Sequence, residues 1–146
     1  MHNMCFYLYA KSDNTDELLD YLKKEEINFN SGMPIYFDKT YALNVCRQFQ
    51  NETVKQLQSL DRTNSDFRRL DKNILNLKKA QIILYGIMGV FGKAVELALE
   101  CGDQDLARDY ANKPMDRKVA RELWMSIARY LFSNENKSGL NRDMNV

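Results

Sequence analysis

Glycine and proline are scarce here, six and two in 146 residues. A many-turned β fold needs more such breakers, so the shortage favours long helices joined by short connections. Histidine is scarcer still. His2 is the only one, and it lies at a chain end, which excludes a Ser-His-Asp or Cys-His arrangement held on a rigid scaffold. The three cysteines, Cys5, Cys46 and Cys101, are odd in number and far apart, unlike a secreted disulfide framework, and they read as reduced, half-buried thiols of a cytosolic protein. None forms a Cys-x-x-Cys pair, so neither a zinc nor a dithiol redox site is supported. No run approaches the roughly 18 to 20 apolar residues that cross a bilayer, and the short apolar run from Met4 to Ala10 lacks the basic start and small-residue cleavage site of a signal peptide. A net charge of +1 implies no electrostatic pull toward nucleic acid or acidic lipid.

What is present is an ordinary globular balance, 45% hydrophobic and 28% charged, with room for about one domain. Residues 4–11 are apolar on every side and read as a buried helix or strand, starting abruptly as if cut from something longer. Thr15 is placed to cap a helix over about 16–26, with Leu18, Leu19 and Leu22 on its apolar face. Gly32 and Pro34 break the chain. Asp38 can cap a helix in which Tyr41, Ala42, Val45, Cys46 and Phe49 form a stripe.

Residues 50–76 read as a polar insertion. Val54, Leu57 and Leu60 suggest a short helix opened by Asn51, followed by a loop near 62–65. Phe67, Leu70, Ile74 and Leu77 then recur at spacings of three and four and run on toward Leu84 and Met88, a long amphipathic helix with its last three turns buried. Gly89 and Gly92 bracket a turn. A helix bearing Phe91, Ala94, Val95, Ala98 and Leu99 follows, with Gly102 as a left-handed stop and Asp103 as the next cap. Leu106, Ala107, Tyr110 and Ala111 make a short helix ended before Pro114. Asp116 caps a last helix bearing Val119, Ala120, Leu123, Trp124, Ile127 and Leu131, with Trp124 as a core anchor and an exposed partner contact as the alternative. Residues 134–146 read as a disordered tail.

The expected architecture is therefore all-α, six or seven helices whose wide apolar faces are best covered by stacked hairpins in an α-solenoid over residues 4–133. No internal repeat of fixed length shows, and a compact bundle is the alternative. No catalytic, cofactor-binding or metal-binding residue stands out. Gly86, Gly89 and Gly92 lack a following Lys-Ser or Lys-Thr pair and a preceding strand, so close helix approach and a turn account for them better than a phosphate cradle. Asp16-Glu17, Glu25-Glu26 and Asp103 to Asp105 sit at helix starts or on solvated faces. Arg68-Arg69 and Lys78-Lys79 make a modest basic stripe.

The run Tyr85-Gly86-Ile87-Met88-Gly89-Val90-Phe91-Gly92-Lys93-Ala94-Val95-Glu96-Leu97-Ala98-Leu99, then Asp105-Leu106-Ala107, Ala111, Pro114, Asp116 and Leu123-Trp124-Met125-Ser126-Ile127-Ala128-Arg129, resembles the vacuolar protein sorting-associated protein 18 family (Pep3, or deep orange). Tyr36-Phe37-Asp38, Tyr41-Ala42-Leu43 with Cys46, and Thr15-Asp16-Glu17 fit the helices before it in that family. The resemblance covers about 4–133 and implies the clathrin heavy-chain repeat, an α-solenoid, in a core subunit of the HOPS and CORVET tethering complexes. It implies a non-enzymatic scaffold in vesicle docking and fusion, cytoplasmic and peripheral on late endosomal, vacuolar or lysosomal membranes, with other class C subunits and SNAREs as partners. It implies no cofactor, no nucleic acid and no small-molecule substrate. The family's N-terminal β-propeller and C-terminal zinc-binding RING are not in this sequence, so the chain is expected to carry no zinc and no ligase activity, and to be a fragment or truncated product. The alternatives are another clathrin- or tetratricopeptide-like adaptor, or a helical regulator that grips a partner helix through residues 67–88.

Overall fold

The structure, a computed structural model, describes Tyr7, residues 15–35 and residues 37–144, with side chains described as far as Asn134. The expectations for residues 4–11 other than Tyr7, for His2, Cys5 and Tyr36, and for the last two residues lie outside this range. Six α-helices and no strand occur among the described residues: α1 (Thr15–Asn30), α2 (Lys39–Gln58), α3 (Asp66–Ile87), α4 (Phe91–Glu100), α5 (Gln104–Ala111) and α6 (Arg117–Met144). The chain divides into two compact units, one up to Val90 and the other from Phe91 onward.

In the first unit α3 packs against both α1 and α2. This dictates its burial. A helix covered from one side shows a stripe, but α3 from Leu77 is apolar on several faces, and Leu77, Ala80, Ile82, Ile83, Leu84 and Ile87 are all buried. Leu18, Leu19 and Leu22 of α1 and Ala42, Leu43, Val45 and Cys46 of α2 complete the core. Asp38 caps α2 as expected, its carboxylate accepting from the Tyr41 amide at 3.1 Å. Tyr41 itself is 38% exposed, and Leu43, outside the expected stripe, is buried.

Asn51 does not open a new helix. α2 runs through it to Gln58, because residues 39–58 contain neither Pro nor Gly and are mostly good helix formers. Much of the polar insertion is thus helix, and the break falls at residues 59–65. Asn64 then organises the start of α3 by accepting from the Asp66 amide at 3.0 Å. α1 likewise runs past Glu26 to Asn30.

A turn at Gly89 and Val90 ends α3 and closes the first unit. Gly89 adopts φ +79°, and the Val90 amide reaches back to the Tyr85 carbonyl at 2.9 Å. Gly102 repeats the device at φ +77°, with the Asp103 amide on the Ala98 carbonyl at 3.0 Å. These paired reversals satisfy the last carbonyls of a helix, and only glycine enters the left-handed region without strain. Asp103 then caps α5, accepting from the Leu106 amide at 3.0 Å. α4 and α5 form a hairpin, and α6 packs on both. Asp116 starts α6, accepting from the Lys118 amide at 2.9 Å.

Two expectations change here. Gly92 does not flank the turn; it is the second residue of α4, where an added Cβ would meet Leu123 Cδ2 at an ordinary 3.9 Å. The residues read as a disordered tail continue α6 to Met144. A helix already nucleated extends at little cost per residue, and no proline stops it.

Candidate functional site

The acidic residues are placed in three ways. Asp103 is a cap, and Asp105 pairs with Arg108 at 3.7 Å. Asp16 does more, because it joins α1 to α3: Lys72 Nζ lies 2.9 Å from one carboxylate oxygen and Asn76 Nδ2 donates to the other at 2.9 Å. Asn76 also donates to Thr15 Oγ1 at 3.1 Å, and Thr15 donates to Asn73 Oδ1 at 2.7 Å. Thr15, Asn73 and Asn76 are all buried. Thr15 therefore uses its hydroxyl for a long-range contact and not for capping its own helix. The bonds from Lys72 and then Asn76 hold the Asp16 carboxyl below its ordinary value of 3.8, against a small opposing desolvation.

This cluster is a latch between helices. Among the described residues no buried side-chain nitrogen or oxygen lacks a hydrogen-bond partner, so the buried part of this cluster holds no unsatisfied polar atom for a ligand. Sequence reasoning missed it, although the signal was there: Asn73 and Asn76 flank Ile74 and Leu77 on the buried side of α3, where a polar residue needs a partner. A second pairing joins α2 to α3. The Arg47 guanidinium donates to the Tyr85 hydroxyl and sits 5.8 Å from its ring centroid. Tyr7 rests edge-on against Phe49, centroids 5.4 Å apart.

The structure separates the other candidates. Gly86, Gly89 and Gly92 fall in α3, in the turn and in α4, and do not form one loop. In the basic stripe Arg69 pairs with Asp66 at 3.7 Å, and Lys72 between the two basic pairs is held by Asp16. Cys46 is buried, and desolvation pushes its thiol up to about 12, far from a reactive thiolate. Cys101 is half-buried. Among the described residues, no three His, Cys, Asp or Glu side chains gather as a metal-binding group. No helix there is long and apolar enough to cross a membrane.

Binding surfaces are better represented. Ile74 and Leu77 are 8% and 1% exposed, so residues 67–88 present no open groove to a partner helix and that alternative fails. Within the second unit, Leu123 and Ile127 of α6 are buried. Trp124 is not the core anchor expected of it: 39% exposed, it lies at the edge of the packed face and donates from Nε1 to Asn112 Oδ1 at 2.9 Å. The indole needs a polar partner, and Asn112, just past α5, supplies one at the surface. A cleft of about 370 Å³ runs beside α4 and α6, floored by Val95, Leu99 and Leu123 and edged by Glu96, Glu100 and Tyr130. It can seat an apolar side chain from a neighbouring helix.

Residues 68–132 match the family model described as VPS18, alpha-solenoid domain, second half. The chain is 36% identical over 138 residues to the vacuolar protein sorting-associated protein 18 homolog of Drosophila melanogaster, covering 93% of this chain and 11% of that protein. The Danio rerio homolog of the same name is 29% identical over 136 residues, 92% of this chain and 11% of the relative. The vacuolar membrane protein pep3 of Schizosaccharomyces pombe is 28% identical over 141 residues, 96% and 12%. The chain thus spans about a tenth of the length of these curated relatives. No solved structure matches.

Proposed function

We propose that this chain, a VPS18-family α-solenoid segment, is a non-catalytic scaffold in a vacuolar or endosomal membrane-tethering complex of the HOPS and CORVET kind. The observation that carries the reading is the family match over residues 68–132, which takes in nearly all of α3, all of α4 and α5, and the start of α6. The relatives' names place them in vacuolar protein sorting and, for pep3, at the vacuolar membrane. Short helical hairpins with buried inner faces hold exposed residues at set separations within each unit, as a scaffold between binding partners requires. In this role the chain contacts other class C tethering subunits and SNAREs, acts in vesicle docking and fusion, and sits on the cytoplasmic face of late endosomal, vacuolar or lysosomal membranes through those partners.

The test is capture of recombinant class C tethering subunits and vacuolar SNAREs by the tagged chain, its helicity confirmed by circular dichroism. Saturable capture of one tethering subunit is the expected result. A folded, helical chain that captures none of them refutes the reading. The clathrin- or tetratricopeptide-like alternative predicts capture of clathrin-coat or unrelated adaptors in the same panel and of no tethering subunit.

A further inference from the structure

The helix α6 has one buried apolar side and, opposite it, an exposed row that mixes apolar with basic residues. Leu123 and Ile127 are buried within the second unit. At about 100° per residue, Phe132 comes out on the opposite side from Leu123. Along that outer side run Lys118, Arg121, Met125, Ala128 and Phe132, spaced alternately by three and four residues. All five are exposed, Met125 by 48% and Phe132 by 65%. Arg117 and Arg129 flank the row. Among the described residues none of these four cations has an ion pair, and Glu122 is the one carboxylate in residues 117–132.

We infer that the outer face of α6 is a docking seam for an acidic amphipathic helix of a partner protein. The inference rests on the scaffold reading and names its surface. Alternating spacings of three and four place side chains in one straight row along a helix, the pattern by which helices pair knobs-into-holes. Met125, Ala128 and Phe132 supply the apolar part of that row, while Arg117, Lys118, Arg121 and Arg129 demand carboxylates opposite them. Arginine can take a carboxylate through two parallel hydrogen bonds, which fixes the register of the incoming helix. Arg, Met and Phe are also the residue types enriched at protein interfaces, where Lys is depleted, and three of the four cations are Arg. A second copy of this chain is a poor occupant, because antiparallel or parallel pairing of the seam with itself sets cation against cation.

The experiment uses the full chain and a fluorescein-labelled, helix-forming peptide with Leu at the a and d positions and Glu at e and g, followed by anisotropy at two salt concentrations. Saturable binding that weakens with salt is expected. Arg121→Glu with Arg129→Glu should weaken it at least about tenfold, and Phe132→Ala by about tenfold. Arg68→Glu with Arg69→Glu, an equal charge change on α3, should leave it unaltered. Equal weakening by the α3 pair, or no saturation, overturns the seam. So does capture by phosphatidylserine-containing vesicles that depends on the α6 arginines when peptide binding does not, or a dimer in sedimentation that Phe132→Ala abolishes. The α6 variant also enters the tethering-subunit capture assay. If wild type and variant capture alike, the seam is wrong and the scaffold reading stands. If wild type captures no subunit yet binds the peptide through α6, the scaffold reading is wrong and the surface stands.

Discussion

Replacing Asn76 with Ala should destabilise the first unit by about 1–2 kcal/mol. Its amide makes two donations, to Thr15 Oγ1 at 3.1 Å and to Asp16 Oδ1 at 2.9 Å, from a residue only 6% exposed. Both partners keep something when the amide goes. Thr15 still donates to Asn73, and Asp16 still pairs with Lys72. The loss is therefore two net hydrogen bonds, one of them to an exposed carboxylate, without a stranded buried charge. Thr15→Val removes the hydroxyl at nearly constant volume and leaves Asn73 Oδ1 without that donor, at a cost of about 1–3 kcal/mol. The double variant should cost less than the sum by about 0.5–1.5 kcal/mol, because the two residues share a bond. Urea melts followed by circular dichroism measure all three, with hydrogen exchange of α1 and α3 assigning the change to this unit. Strict additivity, or no destabilisation by Asn76→Ala, would refute the idea that the latch holds α1 onto α3.

Asp16 gives the latch a pH dependence. Its carboxyl titrates below 3.8 in the folded chain, so its contribution is present above that value and is lost as pH falls through the lower folded value. The wild-type chain should outlast Asp16→Asn in urea at pH 6, and the gap should narrow as the pH falls below the ordinary carboxylate range. Leu84→Ala, at a fully buried position, should cost about 2–5 kcal/mol in the same melts, while Leu75→Ala, 38% exposed, should cost under about 1 kcal/mol. Gly102→Ala should destabilise the second unit by about 1–2 kcal/mol through backbone strain alone, since nothing lies within 4 Å of the added Cβ. Gly92→Ala should be neutral or stabilising, by up to about 1 kcal/mol, because the position is helical and its Cβ has room. Iodoacetamide at pH 8, read by peptide mass spectrometry, should label Cys101 well before Cys46, whose buried thiol is pushed up to about 12. Fast labelling of Cys46 in the folded chain would show that α2 opens readily from α3.

The local signals in this sequence were sufficient for much of the fold. Asp38, Asp103 and Asp116 act as the caps their positions announce, and Gly89 and Gly102 end helices by left-handed turns, because both devices depend on a few neighbouring residues. The breaker-poor composition and the resemblance around Leu123-Trp124 led to an α-solenoid and to the VPS18 family. Helix ends without a breaker were not legible: α2 passes through Asn51, and α6 passes through Ser133. Extension depends on neighbours and on nucleation already achieved, and neither is written at the residue where the chain might have stopped.

Tertiary structure alone decided which faces are used. Periodicity shows that a helix has an apolar side, but the neighbour determines how much of it is covered. Tyr41 and Trp124 belonged to the expected stripes, yet both lie at the margin of the packed faces, exposed by 38% and 39%. The same principle made α3 buried around much of its circumference, because both α1 and α2 lie against it. It also made partners of Thr15 and Asn73, 58 positions apart, which no local pattern could join. The sequence by itself determined that this chain is helical, where several helices begin and what family it resembles. Packing determined which of its polar residues are latches, which apolar residues are core, and which residues of α6 are exposed.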